Sequence, residues 1–162
     1  MAQFVYGRLV ENRPGAVYQD LIWDRWLLLR HASGKELRVF DFESTSSEIP
    51  EDVECELVVS PTVFRSLRLV DDVLTDDLQW SCEIIALAWM ASEGGFDRFA
   101  ASLYQNRGGE KITWALMETG LGQMIALEDE LNQELNQNVK VGDIVTWQKA
   151  RFDLYAILCP NV

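Results

Sequence analysis

Over its first 70 positions the chain alternates apolar and polar residues with a period close to two. Val53-Glu54-Cys55-Glu56-Leu57 sets apolar against acidic residues, as a strand with one wet face requires. Phe4 to Glu11 and Trp26 to Arg30 are rich in β-branched, aromatic and aliphatic residues that favour extended structure. Between Trp26–His31 and Glu36–Phe42, the tetrapeptide Ala32-Ser33-Gly34-Lys35 carries a glycine suited to positive φ, so the two runs are expected to pair as a hairpin. Phe64 to Val70 adds another short strand. Four or five strands separated by Pro14, Gly15, Gly34, Pro50 and Pro61 predict a small antiparallel barrel or a strongly bent sheet.

Past residue 71 the spacing changes. Leu78, Cys82, Ile85 and Trp89 recur at helical intervals behind Thr75 as a cap and Asp76-Asp77 in the first turn, which predicts a helix from Asp76 to Ser92 ending before Gly94. Phe96, Phe99, Ala100 and Leu103 predict a second, from Phe96 to Gln105, stopped by Gly108-Gly109. Leu121, Met124, Ile125, Leu131 and Leu135 also fit a helix, within a run from Gln123 to Gln137 full of helix formers. Val139 to Trp147 is β-branched and reads as a strand, with Arg151 to Leu158 as its expected partner.

These patterns define an α+β expectation: a β-rich region over 1–70, packed with a helical region over 75–162 that ends in strands, the two forming one compact domain or two small ones. The alternative is two β-rich pseudo-repeats. An ungapped shift of 88 positions across 26–70 superposes Trp26 on Trp114, Leu28 on Leu116, Gly34 on Gly122, Asp41 on Asp129, Val53 on Val141 and Phe64 on Phe152. Strands across 83–91 would favour the repeats over the first helix.

Composition narrows the function. The chain has 162 residues, is 48% hydrophobic and 25% charged, and carries a formal charge of −12, which fits a globular protein rather than a disordered tail. That charge repels nucleic acid and anionic membrane surfaces unless the cations are segregated. Met1 to Gly7 lacks the basic and apolar regions of a signal peptide, and no apolar stretch approaches 18 residues, so the expected location is cytoplasmic. Cys55, Cys82 and Cys159 are odd in number and include no C-x-x-C pair, which argues against a disulfide framework or a zinc ribbon. The single histidine, His31, sits beside the expected turn and reads as solvated.

Two features carry candidate chemistry. Residues 8–38 hold six cations, Arg8, Arg13, Arg25, Arg30, Lys35 and Arg38, against four acids, a local +2 that leaves −14 for the rest. Tyr18, Trp23 and Trp26 lie in the same window, and cations interleaved with aromatics on a small barrel are what a single-strand nucleic-acid binder uses. The competing reading puts the aromatics in the core and the cations on ordinary strand faces. Acidic runs at Glu51-Asp52-Glu54-Glu56, Asp71-Asp72, Asp76-Asp77 and Glu128-Asp129-Glu130 lack the calcium-loop pattern of an EF-hand and read as solvated faces able to attract a basic protein. Gly94-Gly95, Gly108-Gly109 and Gly120-Leu121-Gly122 fit no phosphate loop, and no nucleophile motif occurs. The expected function is therefore a non-catalytic acidic interaction or assembly protein, self-associating or acting on a protein partner, with no cofactor or metal. Single-stranded nucleic-acid binding through Arg8, Arg13, Tyr18, Trp23, Arg25, Arg30, Lys35 and Arg38 is the alternative, and a carboxylate-dependent enzyme the third.

Overall fold

The computed structural model describes residues 3–73, 80–88 and 113–159. Strand accounts for 60% of it and helix for 6%, which overturns the α+β expectation of helices packed on a sheet. The chain divides into two compact units: Met1–Val63, Leu121–Met124 and Ala150–Val162 form unit 1, and Phe64–Gly120 with Ile125–Lys149 form unit 2.

Unit 1 contains a closed barrel. Strand β1 (Val5–Pro14) leads into a short hairpin, β2 (Val17–Tyr18) and β3 (Leu21–Ile22), followed by β4 (Arg25–Arg30), β5 (Glu36–Asp41) and β6 (Val53–Arg65). After β7 (Arg68–Val70) and the strands of unit 2, the last strand, β12 (Lys149–Cys159), returns to close the barrel in the order β1-β4-β5-β12-β6. β4 and β5 pair as the sequence predicts, with Trp26 opposite Phe40 and Leu29 opposite Leu37. β12 runs parallel to β5, with Asp153 opposite Phe40, and is not the partner of the Val139–Trp147 run. An antiparallel meander closed by one parallel contact is the arrangement of a five-stranded Greek-key barrel of the OB type.

Alternation decides what fills the interior. Leu27 and Leu29 on β4, Leu37 and Val39 on β5, Leu9 on β1 and Leu57 on β6 are all buried. Each such side chain contributes roughly 1.5–3 kcal/mol by leaving water. The neighbouring Arg30, Glu36 and Arg38 stay exposed on the outer face, as a period of two demands.

Unit 2 repeats this strand order. β8 (Trp80–Ala88), β9 (Trp114–Glu118), β10 (Gln123–Leu127) and β11 (Ile144–Trp147) form with β7 the sheet β10-β9-β8-β11-β7. β8 thus takes the position of β1, β9 of β4, β10 of β5 and β11 of β6. The match extends to a defect: β1 skips a residue between Leu9 and Glu11 opposite Leu29 and Leu28, and β8 skips one between Ile84 and Ala86 opposite Met117 and Leu116. Trp26 and Trp114 hold corresponding places, yet Trp114 is buried and Trp26 only half-buried.

The helix expected over Asp76–Ser92 is therefore wrong where it can be compared, since Trp80–Ala88 is a strand. Cys82 and Ile84 are buried around an exposed Glu83, and the bulge after Ile84 shifts the phase, which imitates helical spacing. The second expected helix, Phe96–Gln105, lies outside the described residues. Of the run Gln123–Gln137, the first five residues form β10, and only Glu128–Leu135 forms a helix, α1, with three acids in its first turn and Asn136 left-handed at its end.

Candidate functional site

The site is built at one end of the unit 1 barrel. There β1 ends at Pro14, opposite Arg25 at the start of β4, and Arg25 in turn faces Asp41 at the end of β5. The ten-residue connection from β1 to β4 is the β2–β3 hairpin. Its stem is tied by Gly15 N–H donating to the Asp24 carbonyl at 2.9 Å, Trp23 N–H donating to the Ala16 carbonyl at 2.9 Å, and Ala16 N–H donating to Asp24 Oδ1 at 2.7 Å. A Cβ on Gly15 would strike that carboxylate and push the Asp24 side chain off the Ala16 N–H.

Two residues turn the ribbon. Val17 pairs with Ile22 and Tyr18 with Leu21, leaving Gln19 and Asp20 as the loop, both left-handed at φ 51° and 65°. That is the twist-matched hairpin turn, here formed without the usual Asn-Gly. A non-glycine residue in this region costs roughly 1–2 kcal/mol.

The ribbon buries neither of its faces. Val17, Tyr18, Leu21, Ile22 and Trp23 are exposed at between 42% and 63%, and Phe42, just beyond Asp41, at 67%. Scattered exposed apolar residues are ordinary, but here five fall within seven positions of one ribbon, with Val17 and Ile22 sharing one face and Tyr18 and Leu21 the other, and such a concentration marks a contact site.

Beside the hairpin, the 42–52 connection is held firmly. The buried Asp41 carboxylate accepts from the Thr45 N–H and Oγ1, both at 3.0 Å, from the Ser46 N–H at 2.7 Å, and from the Ser46 hydroxyl. Asn12 donates through Nδ2 to the carbonyls of Ser46 and Ile49, each at 2.9 Å. Glu43, Glu48, Glu51 and Asp52 are exposed along it, as is Asp20 at the hairpin tip.

The eight residues proposed from sequence do not form one face. Tyr18 and Trp23 belong to the hairpin, while Arg30, five residues along β4 from Arg25, lies about 17 Å from it by strand rise. Arg30 contacts Glu36 at 2.7 Å, Arg8 contacts Glu54 at 3.5 Å, and Arg13 contacts Glu11 at 3.6 Å. Arg25, half-buried, donates to the Asn12 side chain at 2.6 Å. Lys35 is exposed in the turn after His31, and Arg38 is exposed on β5 opposite Leu28. Trp26 packs against Phe40 with centroids 4.8 Å apart, and the Arg151 guanidinium lies 5.1 Å from the Phe40 ring centre. Val17, Leu21, Ile22 and Phe42 were not among the eight; the clustered V-Y-x-x-L-I-W run is a signal that could have found the first three, and none marks Phe42.

Other candidate chemistry is spent on structure. The Glu56 carboxylate accepts the N–H groups of Gln3 and Phe4 at 2.9 Å each. His31 Nδ1 lies 2.8 Å from Ser33 Oγ in the β4–β5 turn. Cys55 and Cys82 are buried, and burial, with the Glu118 carboxylate adding to it, pushes the Cys82 thiol well above its ordinary range. Among the described residues no group of three or more His, Cys, Asp or Glu is placed to hold a metal ion. No helix among them is long and apolar enough to cross a membrane.

No protein-family model, no curated protein and no solved structure matches the chain.

Proposed function

We propose that this protein is a non-catalytic interaction module, an adaptor or assembly factor that docks a protein partner on the hairpin end of its barrel. One observation carries the reading: Val17, Tyr18, Leu21, Ile22 and Trp23 stand exposed together on a ribbon whose stem is tied down and whose turn is strained. Strain of this kind collects at sites that bind, where an ordered shape is worth its cost. Tyrosine and tryptophan are also the side chains that most often dominate interface energies, commonly by about 2 kcal/mol or more each.

Single-stranded nucleic acid fits the barrel type but is less well served by the cations. OB-type barrels take many unrelated ligands, so the fold alone does not choose. Arg8, Arg13 and Arg30 each face a carboxylate that a phosphate would have to displace, and the exposed rings of the hairpin lie away from Arg8 and Arg30.

The experiment is purification of the full chain from its native host beside the double variant Tyr18→Ser/Trp23→Ser, followed by reconstitution from purified components. The reading expects a stoichiometric protein partner that rebinds the wild type directly and binds the variant at least thirtyfold more weakly, about 2 kcal/mol. Equal binding of a reconstituted partner to both would overturn it.

A further inference from the structure

We propose that the hairpin's partner is a cationic protein whose apolar cleft is rimmed by lysine or arginine, and that the 42–52 connection supplies the opposing charge. This rests on the docking reading above and adds the chemistry of the partner.

Pro14, Arg25 and Asp41 lie in line across β1, β4 and β5, and Val53 opens β6 opposite Leu9, so the hairpin and the 42–52 connection leave the same end of the barrel. The connection is anchored from inside by Asp41 and from β1 by Asn12. Its carboxylates are thus presented on a held loop rather than a loose one.

Charge then selects the occupant. Asp20 is exposed at the hairpin tip, and Glu43, Glu48 and Glu51 are exposed on the connection that leaves the same end of the barrel. Of the cations at this end, Arg13 is paired with Glu11, and Arg25 is half-buried against Asn12. An apolar hairpin flanked by these carboxylates repels phosphate polymers and anionic lipid. It also disfavours a second copy of this chain, because a two-fold contact would bring two sets of these carboxylates together on molecules of charge −12. The surface that satisfies both parts is an apolar cleft edged with cations. Rim charges of this kind act mainly on the rate of encounter, and the buried rings on the rate of escape.

The test uses the full chain, 15N-labelled, titrated with three 18-residue synthetic peptides: an amphipathic Leu/Lys peptide, a Leu/Glu peptide with the same apolar positions, and a Ser/Lys peptide. The inference expects the Leu/Lys peptide to shift amides within 15–24 and 42–52 and to bind at least tenfold tighter than either control at 50 mM salt. Glu43→Lys/Glu48→Lys/Glu51→Lys should bring Leu/Lys and Leu/Glu within about threefold of each other, while Asp129→Lys/Glu134→Lys on α1 should leave the preference in place.

Equal binding of the Leu/Glu peptide at the same residues would overturn the charge inference and leave the docking reading standing. Equal binding of the Ser/Lys peptide would also overturn it, since the cleft would then be unnecessary. Light scattering that shows a dimer abolished by Trp23→Ser, or co-sedimentation with phosphatidylcholine vesicles lost in the same variant, would assign the hairpin to a second copy or to lipid. Shifts by the Leu/Lys peptide confined to residues away from 15–24 and 42–52 would defeat both readings.

Discussion

The Asp24 carboxylate accepts the Ala16 N–H at 2.7 Å and thereby closes the stem of the exposed hairpin. Gly15 sits directly against this bond, where any β-carbon would displace the carboxylate. Asp24→Ala and Gly15→Ala should each loosen the ribbon while leaving the barrel folded, at a cost of about 1 kcal/mol to overall stability. Amide exchange should quicken from Ala16 to Trp23 in both variants and stay unchanged on Leu27, Leu29, Leu37 and Val39. Unchanged exchange in the ribbon would show that the stem is held by something else.

The turn residues offer the opposite experiment. Gln19 and Asp20 are both left-handed, and Gln19→Asn/Asp20→Gly supplies the pair that favours this conformation. Recovering about 1 kcal/mol should slow exchange of the hairpin amides roughly fivefold. If strain at the turn is absent, the double variant will exchange at the wild-type rate.

Much of the barrel could be read from the chain, because its buried and exposed positions alternate cleanly. Leu27 and Leu29 point inward while Arg30 does not, Leu37 and Val39 do the same across the pair, and Gly34 at φ 92° turns one strand into the other. The strand at Trp80–Ala88 could not be read. Its bulge lets Cys82, Ile84 and Ile85 imitate a helical face, and only pairing with β9 and β11, both more than 25 residues further along the chain, settles the matter. β10 failed for a related reason: Met124, Ile125 and Ala126 are buried in succession, so no alternation survives to outweigh their helix propensity. Of the site, Tyr18 and Trp23 were legible as unusual residues. Their separation from Arg8 and Arg30 was not, because placing cations at one end of a strand and rings at the other depends on register.

Cys82 gives a pH-dependent prediction. Its thiol is held neutral in the folded chain by burial and by Glu118, so its pKa there lies above the unfolded value of about 8.5. Below that value the thiol is neutral in both states, and its contribution to stability is fully present. Above it the unfolded chain ionises first and binds fewer protons, so stability falls as pH rises, at up to about 1.4 kcal/mol per unit for this group. Denaturant unfolding between pH 8 and pH 10 should show a shallower loss for Cys82→Ala than for wild type. Parallel curves would mean that the thiol ionises in the folded protein.

Binding to a single-stranded oligonucleotide should be weak. Arg8, Arg13 and Arg30 already face carboxylates, and a chain of −12 opposes the ligand. Fluorescence anisotropy at low salt should give at most weak binding, most of it removed by Arg25→Ala/Arg30→Ala and little of it by Lys140→Ala/Lys149→Ala. Tight binding at about 150 mM salt that survives the first pair would place a nucleic-acid surface elsewhere on the chain.

Photo-crosslinking in the native host measures the docking surface most directly. A benzophenone side chain placed at Trp23, and in a separate chain at Glu134 on α1, reports which surface a bound protein covers. The docking account predicts one discrete crosslinked protein from position 23, its yield reduced by Tyr18→Ser, and none from position 134. The same product from both positions, or a partner that co-purifies with the protein yet crosslinks only from position 134, would contradict it.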